Sequence, residues 1–133
     1  MCGIVGFTGR ENALPILIKG LYSLEYRGYD SAGIAAFTRD GLRVVKTQGR
    51  IASLEEKIQS EGGLSCTCGI GHTRWATHGE PSVVNAHPHY SNDKKIAIVH
   101  NGIIENYLEI KERLTNKGFT FVSQTDTEVL AQL

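Results

Sequence analysis

The chain has 133 residues, of which 41% are hydrophobic and 21% charged, a composition that excludes a disordered or low-complexity polypeptide and suits one domain or part of one. Its 14 basic and 14 acidic residues cancel, so the charge gives no support for binding to nucleic acid or to a membrane surface. With three cysteines, no signal peptide and no apolar run near the ~18 residues of a membrane span, we expect a cytoplasmic protein without disulfides.

The N-terminal part of the chain predicts a strand, a helix and a hairpin. Residues 3–8 are apolar and punctuated by Gly, which is typical of a buried strand. Leucines and isoleucines at helical spacing predict a helix over 14–24 with Asn12 as its N-cap. The apolar runs 32–38 and 42–47 flank a turn that ends in Gly, and they predict a β-hairpin.

The middle of the chain predicts a short helix, a strand and a long loop. Ser53 and Glu56 have the spacing of a capping box, which places a helix before the two glycines at 62–63. Residues 66–73 resemble a strand. Residues 76–93 hold two of the three prolines and many polar residues, and therefore predict a loop.

The C-terminal part predicts two strands and two helices. The strands are expected at 96–99 and 119–122, and a helix begins between them at Asn106. Thr125 and Glu128 form a second capping box, about one turn before the last residue. We expect a helix that starts there to continue in a longer polypeptide. Strands mixed with amphipathic helices predict a layered α+β fold.

Cys2 follows the initiator methionine, a position that suggests a nucleophile. If Met1 is removed, Cys2 carries both a thiol and an α-amine, groups whose unperturbed pKa values are about 8.5 and about 8. The amine can then take the proton of the thiol, which is the arrangement of N-terminal nucleophiles. The alternative is a structural cysteine at the start of a strand.

The histidines suggest a zinc site, because all five lie between residues 72 and 100, just after Cys66 and Cys68. The spacing argues against zinc, since knuckles usually separate their cysteines by about two to four residues and have a second pair. We therefore expect Cys66 and Cys68 to be core thiols and the chain to bind no metal.

Further residues could bind an amino-acid substrate or stabilise an intermediate formed from it. Arg74 offers a planar guanidinium that suits a carboxylate, although a surface salt bridge is the alternative. The Asn101 side-chain amide beside the Gly102 backbone N–H could form an oxyanion hole, although Asn-Gly is also a common turn. Asp126 is either a helix cap or an acceptor for a substrate ammonium. With Cys2, these groups fit thiolate attack on an amide, and glutamine is the obvious candidate substrate.

Longer motifs give the chain a family resemblance along essentially its whole length. They are Cys2–Gly6, Leu24–Gly33, Gly71–Gly79, Asn85–His89, His100–Asn106 and Thr125–Glu128. Through them the chain closely resembles the glutaminase domains of the glucosamine-6-phosphate synthases, which are class II glutamine amidotransferases among the N-terminal nucleophile hydrolases. The amidophosphoribosyltransferases are an alternative in the same class, but they typically carry Arg-Gly-Gln-Asp where this chain has Arg27–Asp30.

The resemblance implies an α+β fold, the four-layer α/β/β/α sandwich of the N-terminal nucleophile hydrolases, present here as its N-terminal portion. Residues 1–133 would form the first part of an amidotransferase domain, without its remainder and without the sugar-phosphate isomerase domain that follows. The resemblance also implies glutamine as the substrate and no cofactor. Fructose 6-phosphate would be the acceptor only in the full-length enzyme, which we expect to be a homo-oligomer. A non-catalytic fragment is a further alternative.

The resemblance also implies individual roles. Cys2 would be the nucleophile and its α-amine the general base, while Asn101 and Gly102 would form the oxyanion hole. Arg74 would bind the α-carboxylate of glutamine and Asp126 its α-ammonium. The other implied site residues line the pocket or support the nucleophile: Trp75, Thr77 and His78, and Arg27 and Gly28. While Met1 is attached, the Cys2 nitrogen is an amide, so we expect that form to be inactive.

Overall fold

A computed structural model describes residues 1–133 and contains six strands and four α-helices. In chain order these are β1 (Gly3–Thr8), α1 (Ala13–Leu24), β2 (Ser31–Thr38), β3 (Gly41–Gln48), α2 (Ile51–Ser60), β4 (Cys68–Arg74), β5 (His89–Tyr90), β6 (Ala97–Ile98), α3 (Tyr107–Asn116) and α4 (Glu128–Gln132). None of the helices combines the length and the hydropathy that crossing a membrane requires.

The main sheet has four antiparallel strands in the order β1-β4-β2-β3. The predicted hairpin is confirmed, and β4 lies between β1 and the hairpin. The registers place Gly3 opposite Thr73 and Ser31 opposite Arg74. The start of β1, the start of β2 and the end of β4 therefore meet at one end of the sheet.

Helices α1 and α2 pack on one face of the main sheet and form the hydrophobic core. Alternate residues of the strands point into this core, so Ile34 on β2 meets Leu17 and Leu21 from α1. The predicted N-cap is confirmed, because the Asn12 side chain accepts a hydrogen bond from the Leu14 backbone N–H at 3.3 Å.

The opposite face of the main sheet is covered in part by the segment that leads into β5. Lys46 on β3 donates to the Ala86 carbonyl at 2.8 Å, and the backbone of His87 lies against Gly33 on β2. Helix α4 packs on the small β5–β6 sheet and on α3. The order of helices, sheet, second sheet and helices confirms the α+β fold expected for the N-terminal portion of the sandwich.

Strand β1 is not fully buried, which corrects the sequence prediction. It is an edge strand whose residues alternate between the core face and the other face, so that Ile4 is 45% exposed. The predicted strand at 96–99 shortens to Ala97–Ile98, and the predicted loop 76–93 contains the short strand β5.

Both predicted capping boxes are wrong. Helix α2 begins at Ile51, before the expected cap, and its first N–H donates to the Tyr29 hydroxyl at 2.9 Å. In α4, the Glu128 carboxylate accepts from the backbone N–H groups of Val122 and Ser123, and so it holds the preceding loop. Neither box therefore forms: in α2 a tertiary contact holds the first helical N–H, and in α4 the glutamate binds residues that precede the predicted cap.

The strand predicted at 119–122 is absent, because its backbone groups bond to side chains and not to another strand. The Thr120 N–H donates to the Asn92 side chain at 2.9 Å, and the Val122 N–H donates to Glu128. A run with strand-like composition becomes a strand only where a partner strand can take its backbone hydrogen bonds.

Candidate active site

The Cys2 thiol lies at the end of β4. The pairing of β1 with β4 brings residue 2 alongside the residues that follow Thr73. The Trp75 backbone N–H donates to Cys2 Sγ at 3.3 Å, and the thiol points to the Trp75 carbonyl at 3.6 Å. These two contacts fix the position of the sulfur at the mouth of the cleft.

The turn after α1 supports the N-terminus. The Met1 ammonium donates to the carbonyls of Arg27 and Gly28 at 3.1 and 3.0 Å. The Arg27 guanidinium reaches the Cys2 carbonyl at 3.5 Å. Arg27 and Gly28 therefore surround the backbone of the nucleophile and do not line the cleft in front of it.

Asn101 and Gly102 lie in the same cleft as Cys2. Gly102 has φ +155°, and a Cβ atom on it would come within 2.9 Å of the His100 imidazole. This position therefore favours glycine, whose backbone N–H can be approached closely. The Asn101 side-chain oxygen contacts His72 Nε2 at 2.6 Å, and its amide nitrogen has no hydrogen bond within the chain.

Arg74 is buried and makes no salt bridge, so the surface ion pair that spacing allowed does not form. Its guanidinium donates to the backbone carbonyls of His78, Gly79 and Glu80 and thereby holds the loop after β4. Burial lowers the pKa of Arg74, and the nearby Asp30 carboxylate opposes that effect. The guanidinium has five N–H donors, so donors remain for a carboxylate in the cleft.

Asp126 is buried at the other side of the cleft, and it is not a helix cap. One oxygen of its carboxylate accepts from the Ile104 backbone N–H at 2.7 Å, which ties it to the loop that follows Gly102. Helix α4 begins two residues later and has no side-chain cap. A buried carboxylate that faces a cleft suits a cationic group of a ligand.

The structure thus brings the predicted site residues together. The cleft-lining ones are Cys2, Arg74, Trp75, Thr77, His78, Asn101, Gly102 and Asp126. Trp75 is 53% exposed at the rim, and the His78 ring meets the Tyr107 ring edge-on at 4.8 Å. More spacious cavities exist, such as one of about 400 Å³ between α1 and α2, but its lining contains no cysteine or histidine.

Sequence reasoning missed Asp30 as a structural part of this site. Its carboxylate accepts from the Ala76 backbone N–H, and its own N–H donates to the Arg74 carbonyl at 2.7 Å. Asp30 therefore fixes the turn that presents Trp75 to the nucleophile. The signal was present in the motif Arg27–Asp30, of which only the first two residues were given a role.

Sequence reasoning also missed a buried stack of histidines next to the cleft. The rings of His72 and His87 stack with centroids 4.3 Å apart, and His89 meets His87 edge-on at 4.7 Å. Burial lowers the pKa of His72 to about 4 and that of His89 to about 3, and it lowers the pKa of His87 further. All three rings are therefore neutral near pH 7. No three His, Cys, Asp or Glu side chains are grouped so that they could hold a metal ion.

Comparisons with known proteins identify the family. A family model described as a glutamine amidotransferase domain matches residues 58–133. The chain is 60%, 57% and 58% identical to glutamine–fructose-6-phosphate aminotransferases [isomerizing] of Bacteroides thetaiotaomicron, Clostridium tetani and Thermus thermophilus. These matches cover 100% of this chain and 22% of each relative, so the chain spans about a fifth of the length of the curated relatives.

Two solved structures share the fold. One is described as the allosteric regulatory enzyme of purine biosynthesis, with a TM-score of 0.81, and the other as glutamine phosphoribosylpyrophosphate amidotransferase from B. subtilis, with a TM-score of 0.77. Both are 34% identical to this chain, and each match covers 98% of this chain and 28% of the other.

Proposed function

This chain belongs to the glutamine amidotransferase family, and from that premise we propose that it hydrolyses the side-chain amide of glutamine with Cys2 as the nucleophile. One observation carries the proposal: a single cleft contains a thiol, an unpaired amide donor beside a glycine N–H, a guanidinium and a carboxylate. These groups match the amide and the two charges of glutamine.

Removal of Met1 is the first requirement. It converts the Cys2 nitrogen from an amide to an amine, which can accept the thiol proton. The carbonyls of Arg27 and Gly28 already accept from an ammonium group at the N-terminus. These contacts are made by the Met1 nitrogen, one residue before the Cys2 amine that removal of Met1 exposes.

The reaction then proceeds as an acyl transfer in two steps. The Cys2 thiolate attacks the side-chain carbonyl carbon of glutamine, and Asn101 with Gly102 donates to the oxyanion of the tetrahedral intermediate. The α-ammonium of Cys2 returns its proton to the amide nitrogen, the C–N bond breaks, and ammonia leaves a thioester. Water then attacks the thioester, the amine takes its proton, and glutamate leaves as the thiol is restored. Arg74 binds the α-carboxylate of glutamine throughout, and Asp126 binds its α-ammonium.

Trp75, Thr77 and His78 belong to the loop that would close over glutamine. The Arg74 guanidinium donates hydrogen bonds to backbone carbonyls of this loop. A carboxylate bound by the free donors of Arg74 would therefore link substrate binding to the position of the loop.

We further propose that the ammonia serves to form glucosamine 6-phosphate from fructose 6-phosphate in a longer, oligomeric enzyme. Identities of 54–60% with fructose-6-phosphate aminotransferases support this acceptor. The 34% identity with a phosphoribosylpyrophosphate amidotransferase makes that activity the second candidate. The matched share of 22% supports a longer enzyme, of which we propose that residues 1–133 are the first part of the amidotransferase region.

A labelling experiment tests the hydrolytic site. The natural polypeptide that carries this sequence is incubated with the glutamine-mimicking electrophile diazo-oxo-norleucine, and adducts are mapped by peptide mass spectrometry. We expect one adduct, on Cys2, in molecules that lack Met1, together with glutamate release from glutamine. Cys66 is buried as predicted, but Cys68 is exposed and is not the core thiol that was expected. Cys68 therefore serves as an internal control that should remain unmodified. An inert Cys2 in molecules without Met1 would contradict the proposal.

A further inference from the structure

His72 lies behind the Asn101 side chain and does not line the cleft. It is on β4, fully buried, with its ring on the face of the sheet opposite α1. Its Nε2 atom is 2.6 Å from Asn101 Oδ1, and its Nδ1 atom is buried with no hydrogen-bond partner. The contact joins residues that are 29 positions apart, so local turn geometry does not impose it.

The surroundings of His72 decide which nitrogen carries the proton. The ring is neutral near pH 7, because burial lowers its pKa to about 4 although the hydrogen bond with Asn101 opposes that effect. A neutral imidazole has one N–H. Since Nδ1 has no acceptor and Nε2 faces an amide oxygen, the proton resides on Nε2.

We propose that His72 is a positioning residue for glutamine hydrolysis, whose Nε2–H holds the Asn101 amide oxygen and thereby turns the amide N–H₂ group toward the oxyanion. This inference rests on the proposed function. An asparagine amide can rotate by half a turn and exchange donor for acceptor. If Asn101 rotated in this way, its oxygen would face the developing negative charge and raise its energy.

The His87 ring makes the arrangement rigid. It stacks on His72 with an interplanar angle of 17°, and the backbone of His87 is itself pressed against Gly33 on β2. The imidazole of His72 is therefore clamped between the sheet and a ring that makes no hydrogen bond to Asn101. A donor that is fixed before the reaction needs no reorganisation when charge develops.

The test compares His72→Leu with His72→Gln in the natural polypeptide with Met1 removed. Leucine removes the donor, whereas the glutamine side chain can place an N–H close to the position of Nε2. For His72→Leu we expect kcat to fall at least tenfold, and by no more than the ~100- to 1000-fold loss that follows from removing an oxyanion donor outright. The KM for glutamine should change little, and His72→Gln should recover most of kcat.

A double-mutant cycle separates positioning from general damage to the fold. In an Asn101→Ala background, His72→Leu should produce no further loss of kcat, because the group it orients is absent. Thr73→Val is the matched control on the same strand, since Thr73 is equally buried on the opposite face and its hydroxyl has no partner. It should leave kcat unchanged.

The rate at which iodoacetamide alkylates Cys2, followed by peptide mass spectrometry, measures the reactivity of the thiol alone. The reaction displaces iodide from a CH₂ carbon, so no oxyanion forms and the oxyanion hole is not used. His72→Leu should leave this rate unchanged, and a marked decrease would place the effect on the nucleophile and overturn the inference. Equal kcat in wild type and His72→Leu, or additive losses in the cycle, would also overturn it. A wild-type protein that does not hydrolyse glutamine would instead contradict the proposed function itself.

Discussion

Asn101 and Asp126 line the same cleft, but they differ in what they can donate or accept. Asn101 has an unpaired amide N–H₂ group beside Gly102, whereas Asp126 presents a buried carboxylate held by the Ile104 N–H. The first group suits charge that develops only during the reaction, and the second suits a charge that the substrate already carries. The two residues should therefore affect different kinetic constants.

Replacing Asn101 by alanine should lower kcat for glutamine hydrolysis by about 100-fold or more, because one oxyanion donor is lost. The KM for glutamine should change little, since the donor acts on the intermediate. Steady-state assays of glutamate release measure both constants. Asn106→Ala is the matched control, because Asn106 is exposed and makes no side-chain cap. A kcat equal to wild type in Asn101→Ala would remove Asn101 from the oxyanion hole.

Asp126→Asn should raise the KM for glutamine by about tenfold or more, since a charge-assisted hydrogen bond contributes roughly 1.5–3 kcal/mol. Asparagine keeps an oxygen that can accept from Ile104, so the fold should survive. The comparison substrate is glutaramic acid, which is glutamine without its α-amine. Wild type should prefer glutamine strongly, and Asp126→Asn should lose that preference. If the variant kept the preference, Asp126 would not be the ammonium site.

At the scale of the elements, the site depends on how closely the 76–90 segment approaches β2. A Cβ atom on Gly33 would clash with the His87 carbonyl oxygen and would lie 3.0 Å from a Lys46 side-chain atom. A backbone oxygen cannot move away as a flexible side chain can. Gly33 therefore permits the contact that brings the histidine stack against the main sheet.

Gly33→Ala should destabilise the protein by about 3 kcal/mol, as an overpacked contact that forces the backbone to shift. Urea unfolding followed by circular dichroism measures the change. Gly6→Ala is the control on β1 of the same sheet, because a Cβ atom there would meet its neighbours at 3.8 and 4.0 Å. Equal unfolding midpoints for the two variants would show that the segment does not lie against β2 in solution.

At the scale of the whole molecule, neutral histidines occupy the space between the main sheet and the β5 segment. Their folded-state pKa values lie below the ordinary value of 6.5, chiefly because they are buried. The unfolded chain therefore binds more protons than the folded chain as the pH falls below about 6.5. The free energy of unfolding therefore carries no penalty from these histidines above that pH, and it decreases as the pH falls toward 4.

We expect the melting temperature to be constant from pH 8 to pH 7 and to fall between pH 6.5 and pH 5. Each such histidine can lower the stability by up to about 1.4 kcal/mol per pH unit. Differential scanning calorimetry at pH 7.5 and 5.0 measures the effect. His87→Phe keeps an aromatic ring in the stack but takes no proton, so its pH dependence should be smaller. A wild-type melting temperature that is the same at both pH values would contradict neutral burial of the stack.

The sequence predicted the elements whose signals are local. The helical spacing around Leu17 and Leu21, the Asn12 cap and the Gly-ended hairpin each depend on neighbours a few positions away, and each is confirmed. The capping boxes and the strand at 119–122 were also inferred from local patterns. They are wrong because the backbone groups concerned find partners elsewhere in the fold, such as Tyr29 for α2.

The chemical types of the site residues were readable from the sequence by itself, because a thiol, an amide, a guanidinium and a carboxylate keep their chemistry in any fold. Their arrangement was decided only by the tertiary structure. The register of β1 on β4 brings Cys2 within 3.3 Å of a backbone N–H that is 73 positions away. Burial likewise lowers the pKa of His72, and the fold places its Nε2 atom against the Asn101 side chain. Such properties depend on desolvation and on long-range contacts, which exist only when the chain is folded.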